Sequence, residues 1–333
     1  MIPLSQLNAL RRSLTEQLER SKQVEQGYSE HKLGQMERDL FNEIKAKKEQ
    51  GLLVAEVDDE YQAKAAFRSG ADLVYIHMNR ARNRMEAKPE LLSRQERANL
   101  YYILPRIIRE TEMESLVAKL HELKDSCAGY VASSIGAIEL LKSESLGPIH
   151  GDYALNVMNN LALQELTDRK LSSVCLSPEL SLDEVMAIKS ALPLEVIVHG
   201  SVPLMTSEHC VVGAVVGEKQ GKHCKMPCLE GEYKLNDRKD YDFPLVLQQD
   251  CSMQILNARE LCILEEVRAL LAGPISRVRL LLRERQDDEI KVICRNYRKI
   301  MDNKKLDASE IKKELEKVSP YGLTKGHYFR EVE

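Results

Sequence analysis

Cys210, Cys224, Cys228 and Cys251 follow one another with the spacing C-x13-C-x3-C-x22-C, half of the chain's eight cysteines in one stretch between Gly200 and Asn257. Four thiolates complete the tetrahedral shell of a zinc ion, or carry the corners of an iron–sulfur cluster. The x3 pair, enclosing Met226 and Pro227, brings two sulfurs onto one turn, and the other two arrive from flanking segments. Zinc ribbons usually show two close pairs. This stretch has one, which favours a [4Fe-4S] cluster and leaves structural zinc as the alternative. Zinc held by four sulfurs has no open position for water, whereas a cluster can pass an electron or bind substrate at one iron. Backbone N–H groups of Gly213, Gly217 and Gly221 are candidates to hydrogen-bond the sulfurs at close approach. A scatter of unrelated buried thiols is the plainer reading for one cysteine, not for four in a glycine-containing stretch. Cys127, Cys175, Cys262 and Cys294, by contrast, fall in apolar surroundings and read as core packing.

Three further residues follow apolar runs and are candidate substrate contacts: Arg106, Asn156 and His199. A guanidinium forks onto carboxylate or phosphate, an amide orients a polar group, and an imidazole shuttles a proton. Each also has a plain role, as a surface ion pair, a turn residue or a strand-end hydrogen bond. Arg80, Arg82, Arg84 and Lys88, interleaved with Asn79 and Asn83, form the best local candidate for phosphate contact. A hydrolase has less to stand on. There is no G-x-S-x-G and no H-E-x-x-H, and His199 near Ser201 is the closest approach to a base and nucleophile.

These residues need a scaffold, and composition sets its class. With 43% hydrophobic and 30% charged residues, the chain has apolar side chains enough for a core, which excludes global disorder. No apolar run reaches the roughly 18 residues of a membrane helix, so no membrane partner is expected. The first twenty residues turn charged too soon for a signal peptide, which makes the cytoplasm, with reduced thiols, the expected compartment. Net charge is −4, so any nucleic-acid contact must be a local patch rather than a basic footprint over the whole chain.

Residues 1–50 read as a helical segment, with Leu4, Leu7, Leu10, Leu14 and Leu18 forming one apolar stripe. From Gly51 the pattern changes. Short apolar runs at 52–57, 73–77, 101–107, 129–133, 150–157, 173–177, 194–200 and 277–282 alternate with helix-like stretches. Eight such units predict an α/β fold, a (β/α)8 TIM-like barrel over 51–302, with a doubly wound open sheet as the alternative. The cysteine-rich insertion, 200–256, follows strand 7 and so leaves the strand's C-terminal end, where such barrels carry their sites. A helix is expected around Asn257–Leu271, and residues 303–333 read as a C-terminal helix and tail.

The segment EVIVHGSVPLM, the C-x3-C pair, LNDRKDYDFPLVLQQDC and ILNARELCIL together resemble the U32 family, whose members carry a peptidase or collagenase label. AEVDDEYQAKAAFRSGADLVYIH, YALNVMNN and GLTKGHYF share the likeness, which spans residues 51–333 and is closest to the C-terminal barrel of the large U32 proteins. The resemblance implies a [4Fe-4S] cluster on four cysteines and oxygen-independent hydroxylation of an RNA base or a ubiquinone precursor. Prephenate is the implied oxygen donor. RNA and a separate or preceding first U32 barrel are the implied partners. Two motifs depart from the family pattern. Gly200, Ser201, Val202 and Pro203 stand where the family has G-[SA]-L-C, which leaves the fourth ligand to Cys251, and an EGR-like motif is replaced by Arg283–Gln286. A U32 peptidase and a non-catalytic subunit with a structural metal site remain the rival functions.

Overall fold

The computed structural model describes residues 4–22, 51–78, 87–218, 224–248, 251–303 and 305–329, and the chain divides into two units, Met1–Ile44 and Lys45–Glu333. The first unit holds α1, Leu4–Lys22, with Leu10 and Leu14 of its apolar stripe exposed. The helical reading of residues 23–50 lies outside the described residues.

In the second unit, all eight expected strands form. They are β1 (Leu52–Val57), β2 (Leu73–His77), β3 (Leu100–Ile103), β4 (Gly129–Ala132), β5 (Ile149–Gly151), β6 (Ser173–Cys175), β7 (Leu194–Gly200) and, after the insertion, β13 (Ile275–Leu281). Each pairs in parallel with the next, and β13 closes the ring on both β1 and β7. The eight-stranded parallel sheet is therefore a closed barrel with helices between its strands. Every residue of β2, β7 and β13 is buried, as parallel strands covered on both faces require.

Helices start where the sequence supplies an acceptor for their free N–H groups. Asp59 caps α2 (Glu60–Phe67), Ser134 caps α5 (Ile135–Ser143) and Asn159 caps α6 (Asn160–Asp168). Ser181 and Glu184 form a capping box on α7 (Leu182–Ala187). Short α3 (Arg94–Arg97) and longer α4 (Glu110–Leu123) lie between β2 and β4, and α10 (Asp287–Asp302) follows β13. Leu53, Ala55 and Val57 of β1 join the helix-side core with Ile290, Ile293 and Tyr297 of α10.

The insertion leaves the barrel at Gly200. Its φ is +107°, and a Cβ there would stand 2.2 Å from the Leu281 carbonyl oxygen, so only glycine lets β7 turn away beside β13. Beyond it the chain builds a second sheet, antiparallel and four-stranded, from β8 (Pro203–Ser207), β9 (Tyr233–Asn236), β10 (Asp242–Leu247) and β11 (Met253–Leu256), in the order β8-β11-β10-β9. A short helix, α8 (Val211–Val215), follows β8. Asp237 closes the β9–β10 turn by accepting from the Lys239 and Tyr241 N–H groups.

The helix expected around Asn257–Leu271 does not form as one piece. β12 (Glu260–Cys262) pairs antiparallel with the end of β7, a single 3-10 turn follows, and α9 runs only from Val267 to Ala272. Backbone groups at His199 and Gly200 find their partners in β12, which outweighs the helical pattern of the side chains. Cys262 is accordingly a strand residue, buried as expected. The C-terminal stretch adds α11 (Ala308–Glu316) and a two-residue strand, β14 (Leu323–Thr324), on the outer side of β12. Its Tyr328 is buried and donates a hydrogen bond to the Ile197 carbonyl at 2.8 Å.

Candidate functional site

The four cysteines lie on three separate segments of the insertion. Cys210 is the N-cap of α8, its sulfur accepting from the Gly213 N–H at 3.2 Å. Cys224 accepts from the Met226 N–H at 3.3 Å, and the Lys225 N–H donates to the Gly217 carbonyl at 3.0 Å. Cys228 lies in the 3-10 turn Pro227–Leu229, and Cys251 is exposed in the left-handed region at φ +63°. Burial raises the pKa of the Cys228 thiol, and Cys210, Cys224 and Cys251 add to the rise. Among the described residues no three His, Cys, Asp or Glu side chains stand close enough together to share a metal ion.

Gly217 is the tightest point of this cradle. A Cβ on it would stand 2.6 Å from the Cys224 sulfur and 3.0 Å from the Gly213 carbonyl oxygen. Gly217→Ala is therefore expected to push Cys224 aside, at a local cost of about 1–3 kcal/mol. The check is thiol alkylation of the metal-free chain followed by peptide mass spectrometry. Cys224 should react faster than in the parent while Cys127 is unchanged; equal rates would mean that the turn yields instead of the sulfur.

The cradle opens onto the barrel. A cavity of about 290 Å³ is lined by Cys228 and Tyr233 from the insertion and by Glu56, Leu281 and Arg283 from the C-terminal ends of β1 and β13. It lies at the barrel's C-terminal mouth. The Tyr233 hydroxyl donates to the Pro227 carbonyl at 3.3 Å and so braces the turn that carries Cys228.

Beneath the cavity the barrel is charged, where interiors of this kind are usually filled by branched aliphatic side chains. Arg279 is wholly buried and engages three carboxylates, Glu195, Asp152 (2.6 Å) and Glu56 (3.2 Å), while lying 4.8 Å from the ring centroid of Tyr75. The Tyr75 hydroxyl donates to Glu195 at 3.0 Å and stands 2.9 Å from His150 Nδ1. Arg277 reaches His150 and Ser173 below. At the mouth, His77 Nε2 meets Glu56 at 2.7 Å, and Arg283 pairs with Asp58 at 3.0 Å and with Gln254 at 2.9 Å. Burial by itself would raise the Glu56 pKa, but His77, Arg279 and Arg283 together hold it below the usual range. Burial, then Arg283, lowers the pKa of His77, while Glu56 and Asp58 act to raise it.

The other candidates are dispersed. Arg106 is exposed beyond β3, with a 3.5 Å contact to Thr206 Oγ1, and Arg109 on the same loop pairs with Glu208 at 2.8 Å, so this loop meets the end of β8. Asn156 takes up the left-handed conformation after β5 and accepts from the Ser177 hydroxyl at 2.9 Å. His199 is fully buried, edge-on to Tyr297 and 3.9 Å from Glu260, with no hydrogen-bond partner for either ring nitrogen among the described residues. None of the three lines the cavity. Arg80, Arg82 and Arg84 lie outside the described residues, and Lys88 precedes the turn Pro89–Leu91. Glu56, His77, Asp152 and Arg279 stand in no motif of the sequence, and Arg283 enters only as a departure from the family pattern. A charge within or just after an apolar strand run was the available signal.

Comparison with known proteins bears on the whole barrel unit. The sequence profile of peptidase family U32 matches residues 59–333. The tRNA hydroxylation protein P of Helicobacter pylori (strain ATCC 700392 / 26695) is 27% identical over 230 residues, which cover 66% of this chain and 54% of that protein. Its counterpart in Helicobacter pylori (strain J99 / ATCC 700824) is 26% identical over the same length. The match thus spans about half the length of these curated relatives. Among solved structures, that of the U32 peptidase Mk0906 gives a TM-score of 0.39 at 11% identity, covering 71% of this chain and 94% of the other.

Proposed function

The chain belongs to peptidase family U32, and from that premise we propose that it is an iron–sulfur-dependent, oxygen-independent hydroxylase of an RNA base, or a portion of one. The observation that supports this reading is a free thiol, Cys228, at the wall of a cavity in the barrel mouth, with three further free thiols on the same insertion. The named activity of the two relatives, tRNA hydroxylation, agrees with it.

Four free thiols are the donor set that a [4Fe-4S] group takes, although among the described residues no three of them stand close enough to share a metal ion. Cys210, Cys224, Cys228 and Cys251 would hold it, two of their sulfurs already accept backbone N–H bonds, and Gly217 leaves room that a Cβ would take. Such bonds stabilise thiolate charge and tune the redox potential of a bound cluster. When bound, the group supplies one-electron chemistry or a Lewis-acidic iron.

The chain's own residues do the rest. Arg279 and His77 hold Glu56 ionised at the cavity wall, giving a fixed negative charge and a hydrogen-bond acceptor there. Arg283, tied to Asp58 and Gln254, fixes the rim. Tyr233 locks the Cys228 turn against the cavity. Four leucines, Leu245, Leu247, Leu256 and Leu281, line the same space and limit water in it.

Anaerobic incubation of the chain with bulk RNA and prephenate, followed by nucleoside mass spectrometry, tests the reading. A nucleoside heavier by one oxygen, formed without dioxygen and absent with Cys228→Ser, is the expected result. Unchanged RNA alongside cleavage of a protein substrate by the metal-free chain would favour peptidase chemistry instead.

A further inference from the structure

We infer that the turn Ser319–Gly322 is a hinged door on the cavity at the barrel mouth, latched by the ion pair of Arg285 and Glu260, and that it opens while the barrel and the insertion stay folded. Pro320 and Tyr321, the two central residues of this turn, line the cavity. The turn closes on itself through the Gly322 N–H, which donates to the Ser319 carbonyl at 3.0 Å. One pair of residues holds both of its ends. Arg285 donates to the Val318 carbonyl at 2.7 Å, and the Glu260 N–H donates to the Gly322 carbonyl at 3.0 Å. The Arg285 guanidinium and the Glu260 carboxylate pair with each other in turn. Ser319, buried beside them, helps to hold down the pKa of that carboxylate. Arg285 also lines the cavity, so the latch is set in the wall that it closes.

The chain on either side of the turn is fastened more deeply. Before it, α11 buries Ile311 and Leu315. Beyond it, β14 pairs with β12, Lys325 meets Glu265 and Glu266 at 2.7 Å, and Tyr328 is buried with its hydroxyl on the Ile197 carbonyl. From Val318 to Thr324, between these anchors, Ser319 alone is fully buried, so opening the turn exposes little apolar surface. Gly322 is the hinge. Its φ is +72°, and a Cβ there would meet nothing within 4 Å. Glycine takes positive and negative φ about equally well, so rotation at this residue swings Pro320 and Tyr321 without breaking β14. Other walls of the cavity have no such freedom. Leu281 belongs to β13, Leu245 and Leu247 to β10, and Leu256 to β11, strands that each pair with a neighbour on both sides. The door governs entry to the cavity and goes beyond the reaction proposed for it.

Hydrogen exchange of the full chain, read by mass spectrometry over residues 318–324, tests the door. These amides should exchange before those of β7 and β13, at a rate that urea below the unfolding transition barely changes, because a local opening exposes little surface. Arg285→Gln unfastens the latch and should speed this exchange by about tenfold to a hundredfold, the range for a lost charged hydrogen bond. Gly322→Ala removes no contact, and its strain at positive φ should speed the exchange by about five- to thirtyfold. In the chain stripped of metal by a chelator, Cys228, which lines the same cavity, should react with a maleimide faster in both variants. The exposed Cys251 should react at the parent rate. Gly322→Ala decides alone if Arg285→Gln folds poorly. Exchange of 318–324 only in step with β7 and β13, rising with urea as theirs does, overturns the inference. So does Cys228 reactivity that stays at the parent rate in Gly322→Ala. These readouts need neither RNA nor a cluster, so the door and the hydroxylase reading fail separately.

Discussion

Arg279→Met should lower the unfolding free energy of the barrel by about 3–5 kcal/mol, the range for removing one partner from a buried ionic group. The guanidinium is fully buried and is the common partner of Glu56, Asp152 and Glu195. Methionine fills much of its volume but leaves three carboxylates facing one another without a cation between them. They would then have to take up protons or admit water. The urea midpoint of the variant reports the loss directly. Adding Glu195→Gln to Arg279→Met should return part of it, because one of the stranded charges is then removed. A midpoint shift worth less than about 1 kcal/mol would mean that the network is solvated and that Arg279 does not hold the mouth together. The same substitution should loosen Glu56 at the cavity wall, so a stability loss without any change in ligand binding would separate the two roles.

The second large effect is acid lability. His77, His150, His199 and His327 all have lowered pKa values, first through burial, with His199 pushed down to about 3 and His327 to about 4. Nearby guanidiniums add to this, Arg283 at His77, Arg277 at His150 and Arg285 at His199. The unfolded chain takes up protons at these positions near pH 6.5, while the folded chain does not. Below that pH the unfolded state therefore binds more protons, and stability falls as pH falls. For His199 alone the fall is about 1.4 kcal/mol per pH unit, running from about 6.5 toward about 3. Glu260, its pKa raised by burial, acts in the opposite sense, its contribution being lost as pH rises through its folded value. Urea titrations between pH 7 and 5 should show a slope of more than one proton, and His199→Gln should reduce it by about one. An unchanged slope in His199→Gln would show that this imidazole takes up its proton in the folded state.

Much of this architecture was readable in the residues. The parallel strands are buried on both faces, so most appear as largely apolar runs broken by a few charged or polar residues, and runs such as 52–57, 73–77 and 194–200 coincide with β1, β2 and β7. The antiparallel sheet of the insertion left no such mark. Three of the four residues of β9 are exposed, as are Leu204 and Met205 on β8, so neither strand shows the alternation of a half-buried sheet. β12 was hidden for a different reason: Glu260–Cys262 continues into a helical pattern, and the pairing with β7 that decides its state is a long-range contact. The thiols could be found by spacing because each carries its chemistry in its residue type. The charged interior could not be found that way. Glu56, Asp152, Glu195 and Arg279 come from four distant strands or strand ends, and only the closure of the barrel makes them one group. Arg106, Asn156 and His199 share a position after an apolar run, but β7 turns at its end so that His199 packs against Tyr297 of α10.

Iron, acid-labile sulfide and zinc per chain, measured on anaerobically purified protein with its absorption spectrum, test the centre most directly. About four iron and four sulfide per chain, with a broad band near about 400 nm that is lost in Cys224→Ser, is the predicted result. A colourless protein with one zinc per chain, or one whose iron content is indifferent to Cys210, Cys224, Cys228 and Cys251, would contradict it.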